Sequence, residues 1–277
     1  MQDWLFRLKV ELLRARRLLR WLLEARHYAR PVSMPPQGLN HLAFRHSSPL
    51  VRDPARARTE LQQGKLQNLR LTAPRIDSTL IRPGETFSLA FLAGKATRRA
   101  GYQPGLELKD GRMQPGIGGG RCQISNLLYW LALHLDLEVT ERHRHDYDIF
   151  PDYRRTQPFG SGATFYWNYM DLQFRNPHPF PIWLRLYLTS ADLVAEAYTP
   201  VPLPFAVHVY ETDHRFYREG SQIWRANRLW RRVTASAGAA REVDLLKDEL
   251  MAENRGRVLY PVPEEWIDAN PAGATGS

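Results

Sequence analysis

Gly116-Ile117-Gly118-Gly119-Gly120-Arg121-Cys122-Gln123-Ile124-Ser125-Asn126-Leu127-Leu128-Tyr129 holds three consecutive glycines, the only cysteine of the chain and the start of an apolar helical pattern. Ile124, Leu127, Leu128, Leu131 and Leu135 recur at spacings of three and four, which predicts a helix over Gln123–Leu137 with one buried stripe. A glycine run permits backbone angles closed to other residues and lets a ligand approach the main chain. A helix that opens there aims free N–H groups at whatever lies in front of it. A thiol at that point has its thiolate favoured by those donors and by the helix dipole. The stretch therefore reads as a candidate reactive site at the start of a buried helix.

Working outward, the pattern predicts an α+β fold: a helix-bearing front half and an antiparallel, β-rich back half in a single main domain. Upstream, residues 3–28 read as one helix, stopped by Pro31. Residues 31–56, rich in Pro, Ser, Arg and His, read as a linker. A short helix is expected between Thr72 and Leu80, with Thr72 as its N-cap. Downstream, Asp171–Arg175 and Ile182–Leu188 alternate around Asn176-Pro177-His178-Pro179, which reads as a hairpin. Strands follow at Phe205–Tyr210 and Gln222–Val233, then a charged helical pattern at Glu242–Glu253. The expected organisation is a basic helix at 1–30, the linker, a main domain at 57–267 and a flexible tail at 268–277.

The chain has 277 residues, 43% of them apolar, which suffices for a real core. One cysteine excludes an internal disulfide framework. A formal net charge of +9 favours anionic partners: a membrane surface, nucleic acid or acidic substrates. Residues 1–30 alone carry eight arginine or lysine residues against three acids. Their arginines interrupt every apolar run, so neither a spanning segment of ~20 residues nor a secretory h-region is present there. The expected location is cytoplasmic, with peripheral binding at the inner membrane face as an extension. Leu5, Leu8, Leu12, Leu19 and Leu22 make one stripe of that helix. It either lies on an anionic membrane or packs against its own domain.

A thiol nucleophile needs a base and a group to orient it. Glu141-Arg142-His143-Arg144-His145-Asp146-Tyr147-Asp148 supplies His145 and His143 as candidate bases, and Asp146, Asp148 and Asp152 as carboxylates. The Gly118–Gly120 amides or the Gln123 side chain are the candidate oxyanion donors. Against this stands a small buried apolar Cys122, a common fate of the residue. No metal site or cofactor is expected, because no CxxC, HExxH, P-loop or GxGxxG pattern occurs. Arg121 either holds a carboxylate or phosphate at the helix start or is solvated. Trp224, Arg228, Trp230, Arg231 and Arg232 form a basic aromatic strand, but arginine stems over a structural sheet give the same pattern, so nucleic acid is not the expected partner.

Pro83-Gly84-Glu85-Thr86-Phe87-Ser88, Gly101-Tyr102, Gly118 to Ser125 with Leu128-Tyr129, Arg142, His145 and Asp171 to Asn176 together resemble the VanW family over roughly residues 66–190. The resemblance implies a link to the bacterial envelope and glycopeptide resistance. In its light the mechanistic expectation is thiol chemistry on an envelope peptide or amide. Cys122 is then the nucleophile, His145 the base, Gln123 and the Gly119–Gly120 region the oxyanion donors, and Gly118, Gly119, Gly120, Arg121 and Ser125 the ligand-binding residues. The competing expectation is a non-catalytic module that binds an envelope-derived peptide, an anionic ligand or a partner protein. One departure matters. Relatives carry Gly-Arg-Asp-Ala-Thr after the histidine, where this chain has Gly160-Ser161-Gly162-Ala163-Thr164. If that acid orients the histidine in relatives, this chain either lacks it or uses Asp146, Asp148 or Asp171 instead.

Overall fold

The structure is a computed structural model and describes residues 2–51, 59–109, 112–149, 151, 157–236 and 244–268. The class is α+β, with mainly antiparallel strands in several sheets. The backbone gathers into two compact units, Met1–His143 with Ala163–Leu203, and Arg144–Gly162 with Pro204–Ser277. The boundary falls inside the span expected as one main domain.

The first unit begins with α1 (Gln2–Leu23) and the two-residue β1 (Arg30–Pro31). β2 (His41–Pro49) follows, then α2 (Glu60–Thr72), β3 (Thr79–Ile81), β4 (Thr86–Ser88) and the short α3 (Leu89–Ala93). β5 (Pro104–Lys109) and β6 (Arg112–Ile117) form a hairpin that leads into the glycine run. α4 (Cys122–His134) comes next, then β7 (Glu138–Glu141). Thr59 caps α2, its hydroxyl accepting from the Gln62 amide at 3.3 Å. The apolar stripe of α4 is fully enclosed: Ile124, Leu128 and Leu131 have no exposed surface. It packs on β2, where Phe44 stacks on His134 at 4.6 Å between ring centres.

After the excursion of the short β8 (Tyr147–Asp148) into the second unit, the chain adds β9 (Gln173–Arg175), β10 (Ile182–Leu188) and β11 (Asp192–Thr199) to the first. The main sheet runs β1-β3-β10-β11-β2, and a small one runs β4-β9-β7. The second unit is one sheet whose centre is a long antiparallel meander: β12 (Phe205–Glu219), β13 (Gln222–Ala235) and β14 (Leu245–Val258). β15 (Ile267–Asp268) and β8 pair parallel at its two edges.

Several local expectations are corrected. Residues 41–49 of the expected linker are strand, paired along its length with β11. The burial pattern of β2 alternates, and its hydrogen bonds come from a partner roughly 150 residues away that composition does not reveal. Residues 52–56 of that linker lie outside the described residues. Thr72 closes α2 and also stands at the expected N-cap position, without a side-chain cap bond, but the helix it opens is far shorter than expected. Ala73–Arg75 is a single 3-10 turn, and Thr79–Ile81 is a buried strand. The Asn176-Pro177-His178-Pro179 stretch does not close a hairpin. β9 pairs with β4 and β7, while β10 pairs with β3 and β11. The Asn176 amide instead holds a crossing between sheets by donating to Ile81 O and Phe180 O. The charged stretch near 242–253 is β14 from Leu245 onward, since its acids pair across to β13: Asp248 with Arg232, Glu249 with Arg231, Glu253 with Arg228. Residues 269–277 of the expected tail, like Asp152, lie outside the described residues.

Candidate functional site

Cys122 is the first residue of α4, as its glycine run predicts. Gly118 and Gly120 hold φ of +83° and +90°, the left-handed region that glycine enters without cost. The close approach they permit is made by the chain itself. Gly119 lies against Gly105, and a Cβ on either would collide with the other's carbonyl oxygen. The Gly118 amide donates to Gln103 O at 3.1 Å and the Gly119 amide to Gly116 O at 2.9 Å. Asn68 binds across the same place, donating to Gly119 O and Gln103 O.

The side chains around Cys122 are likewise engaged. The thiol donates to Phe165 O at 3.7 Å. The residue keeps some surface, but the sulfur is enclosed, and burial pushes the thiol above its ordinary range despite the helpful Phe165 contact and the nearby Arg121. The Gln123 amide nitrogen donates to Ser48 Oγ and Pro49 O, both at 2.9 Å. Its Oε1 is buried without a hydrogen-bond partner among the described residues. Ser125 Oγ donates to Ala163 O at 2.6 Å. Arg121 is buried. Its guanidinium donates to Gly118 O and Gly94 O and lies over the rings of Tyr102 and Phe165, at 5.3 and 5.0 Å.

Of the expected bases, His143 bonds Glu141 Oε1 through Nε2 at 2.9 Å. His145 belongs to the second unit and Cys122 to the first, so neither unit by itself contains the expected thiol–imidazole pair. Asp148, one candidate replacement acid, also lies in the second unit, paired with buried Arg225 at 3.1 Å and accepting from Tyr260 at 2.8 Å.

A second polar centre, hidden from sequence reasoning, lies in the first unit. Asp171 has no exposed surface. Its carboxylate accepts from Ser88 Oγ at 2.5 Å, Ala90 N at 2.7 Å, Leu172 N at 2.8 Å and Gln173 Nε2 at 3.0 Å. Beside it, Glu141 accepts from the Asp171 amide and from Gln173. Arg17 of α1 bridges the two acids, 2.7 Å from Glu141 and 3.3 Å from Asp171. Burial drives Asp171 up to about 6, against the pull of its donors and Arg17. Burial would also raise Glu141, but hydrogen bonds from His143 and Arg17 hold it down at about 2. The centre thus holds one acid below and one above the ordinary carboxylate range. Asp171 was legible as a candidate acid. Arg17 was one arginine among many in a helix, with nothing in its spacing to mark it.

Among the described residues no group of three or more His, Cys, Asp or Glu side chains is arranged to hold a metal.

Residues 64–198 match the family described as "VanW like protein". The chain is 28% identical to the vancomycin B-type resistance protein VanW of Enterococcus faecalis over 203 residues, 73% of this chain and 72% of that protein. Over residues 64–198 the chain carries a VanW-like domain. It is also 28% identical, over half of its length, to an uncharacterized protein, YoaR, of Bacillus subtilis, and covers 44% of that relative. No solved structure matches. The VanW match contains the glycine run, Cys122, Glu141 and Asp171. Arg17 lies outside it, so the cation that neutralises the acid pair comes from an element beyond the family's matched span.

Proposed function

We propose that this protein, with its VanW-like domain, serves glycopeptide resistance at the bacterial envelope as a non-catalytic module that binds an envelope-derived peptide or another anionic ligand. The VanW-like match and the likeness to the vancomycin B-type resistance protein support the association with resistance. The observation that carries the non-catalytic reading is the state of Cys122. Its thiol is bonded to Phe165 O, and burial disfavours the thiolate that nucleophilic chemistry requires. The amides of Gly118 and Gly119 and the side chain of Gln123 donate to the protein's own oxygens, which supports a structural role for the loop. The second reading, thiol chemistry on an envelope peptide or amide with His145 as base, draws on the place of Cys122 at the first position of α4.

Titration of the purified chain with soluble peptidoglycan fragments separates the two. The module reading expects saturable binding, fragments recovered unchanged and the same affinity in Cys122→Ser. Cleavage of the fragments, or a mass adduct on Cys122, would overturn it. So would the absence of any binding.

A further inference from the structure

α1 docks in the reverse sense to an ordinary surface helix, which buries its apolar stripe and exposes its charges. Here Val10, Arg14, Arg17 and Trp21, spaced four, three and four apart, face the unit and are buried or half-buried. Arg17 reaches the Glu141–Asp171 pair, Asn168 Nδ2 donates to Arg14 O at 3.2 Å, and Trp21 meets Phe91 edge-on at 5.6 Å. The opposite side carries Trp4, Leu8, Leu12, Leu19, Leu22 and Leu23, all exposed, with Leu22 at 78% and Leu23 at 73%. That face is about 28 Å long at 1.5 Å per residue. Lys9, Arg16 and Arg20 are exposed along one border of it, and the acid Glu11, tied to Arg14, lies at the other border.

We infer that this outer face of α1 is a peripheral membrane-binding surface whose occupant is a bilayer rich in anionic phospholipid. A stripe of leucines and a tryptophan bordered by cations is the pattern of a helix lying in the headgroup boundary, the apolar side inserted and the basic border against phosphates. No helix among the described residues is long and apolar enough to cross a membrane, so α1 lies on the surface instead of spanning it. The same border argues against a second copy as occupant, because pairing two such faces would bring Lys9 and Arg16 of each chain towards like charges. Arg17 is turned inward onto the acid pair and Asn168 holds the Arg14 carbonyl, which fixes the helix to the unit and leaves the leucines facing away from it.

Vesicle flotation of the full chain tests the inference, with vesicles of equal parts phosphatidylglycerol and phosphatidylcholine beside vesicles of phosphatidylcholine alone. The wild-type chain should bind the anionic vesicles preferentially and lose much of that binding at high salt. Leu12→Glu/Leu19→Glu/Leu22→Glu changes only exposed side chains and should weaken binding by about tenfold or more. Lys9→Glu/Arg16→Glu should abolish the preference for anionic lipid. The inference is overturned if the wild-type chain ignores both vesicle types, or if the triple leucine variant binds as the wild type does. It is equally overturned if light scattering shows a dimer that the leucine changes dissociate while vesicle binding is absent. The salt comparison on the wild-type chain needs no variant to fold.

Discussion

Asp171 and Glu141 share Arg17, yet their environments move them apart, and the two shifts act on stability with opposite sign. The folded value of Glu141, about 2, lies below an ordinary carboxylate, so its contribution is present above the ordinary value and is lost as pH falls through about 2. The folded value of Asp171, about 6, lies above the ordinary one, so its contribution is present below the ordinary value and is lost as pH rises through about 6. Asp171→Asn keeps an acceptor for Ala90 N and Leu172 N and removes that titration. Thermal unfolding of both proteins between roughly pH 4 and pH 7 should show the wild type losing stability relative to the variant as pH rises. Parallel curves would show that Asp171 titrates elsewhere. A second residue-scale expectation concerns Gly119. Gly119→Ala places a Cβ against the Gly105 carbonyl, so α2, β5 and the glycine loop must shift. A loss of about 2 kcal/mol in chemical denaturation is expected, and a neutral variant would contradict the close packing of the loop.

Elements differ in how much of them the sequence shows. α4 is legible because its stripe, its glycine start and its burial all agree. The observed helix, Cys122–His134, departs from the expected Gln123–Leu137 only at its ends. The leucine stripe of α1 was equally visible, but which side it turned was not. That orientation is decided by Arg17 finding two acids more than a hundred residues away. Arg17→Ala removes the cation from a buried acid pair and should cost about 3 kcal/mol or more in denaturant unfolding, far beyond an exposed arginine. A cost within experimental error would mean that α1 is not anchored there. β14 was misread because its acids occur at helical spacings, while their partners are the arginines of β13. Arg231 is nearly enclosed and bonds Glu249 at 2.9 Å through Nε. Arg231→Glu should therefore destabilise strongly, and Arg231→Glu with Glu249→Arg should recover part of the loss; no recovery would deny the cross-strand pairing.

At the scale of the whole molecule, the resemblance carried by Gly118 to Ser125 and Asp171 to Asn176 agrees with the VanW-like match over residues 64–198. The same strings also suggested chemistry that depends on distances they do not encode. Cys122 and its glycines look alike in sequence whatever they face, and their contacts with Gly105, Gln103 and Phe165 come from segments elsewhere in the chain. The division into two units was likewise not legible, because residues 144–162 leave the first unit and return to it without a composition break. The central claim, that this protein with its VanW-like domain works by binding and not through a nucleophilic thiol, is tested most directly by the rate of Cys122 alkylation against pH in the native chain. Slow reaction with a midpoint above the free-thiol value of ~8.5 is predicted, because burial raises the thiol and nothing around it reverses that effect. Fast reaction with a midpoint below that value would contradict the account and restore Cys122 as a nucleophile.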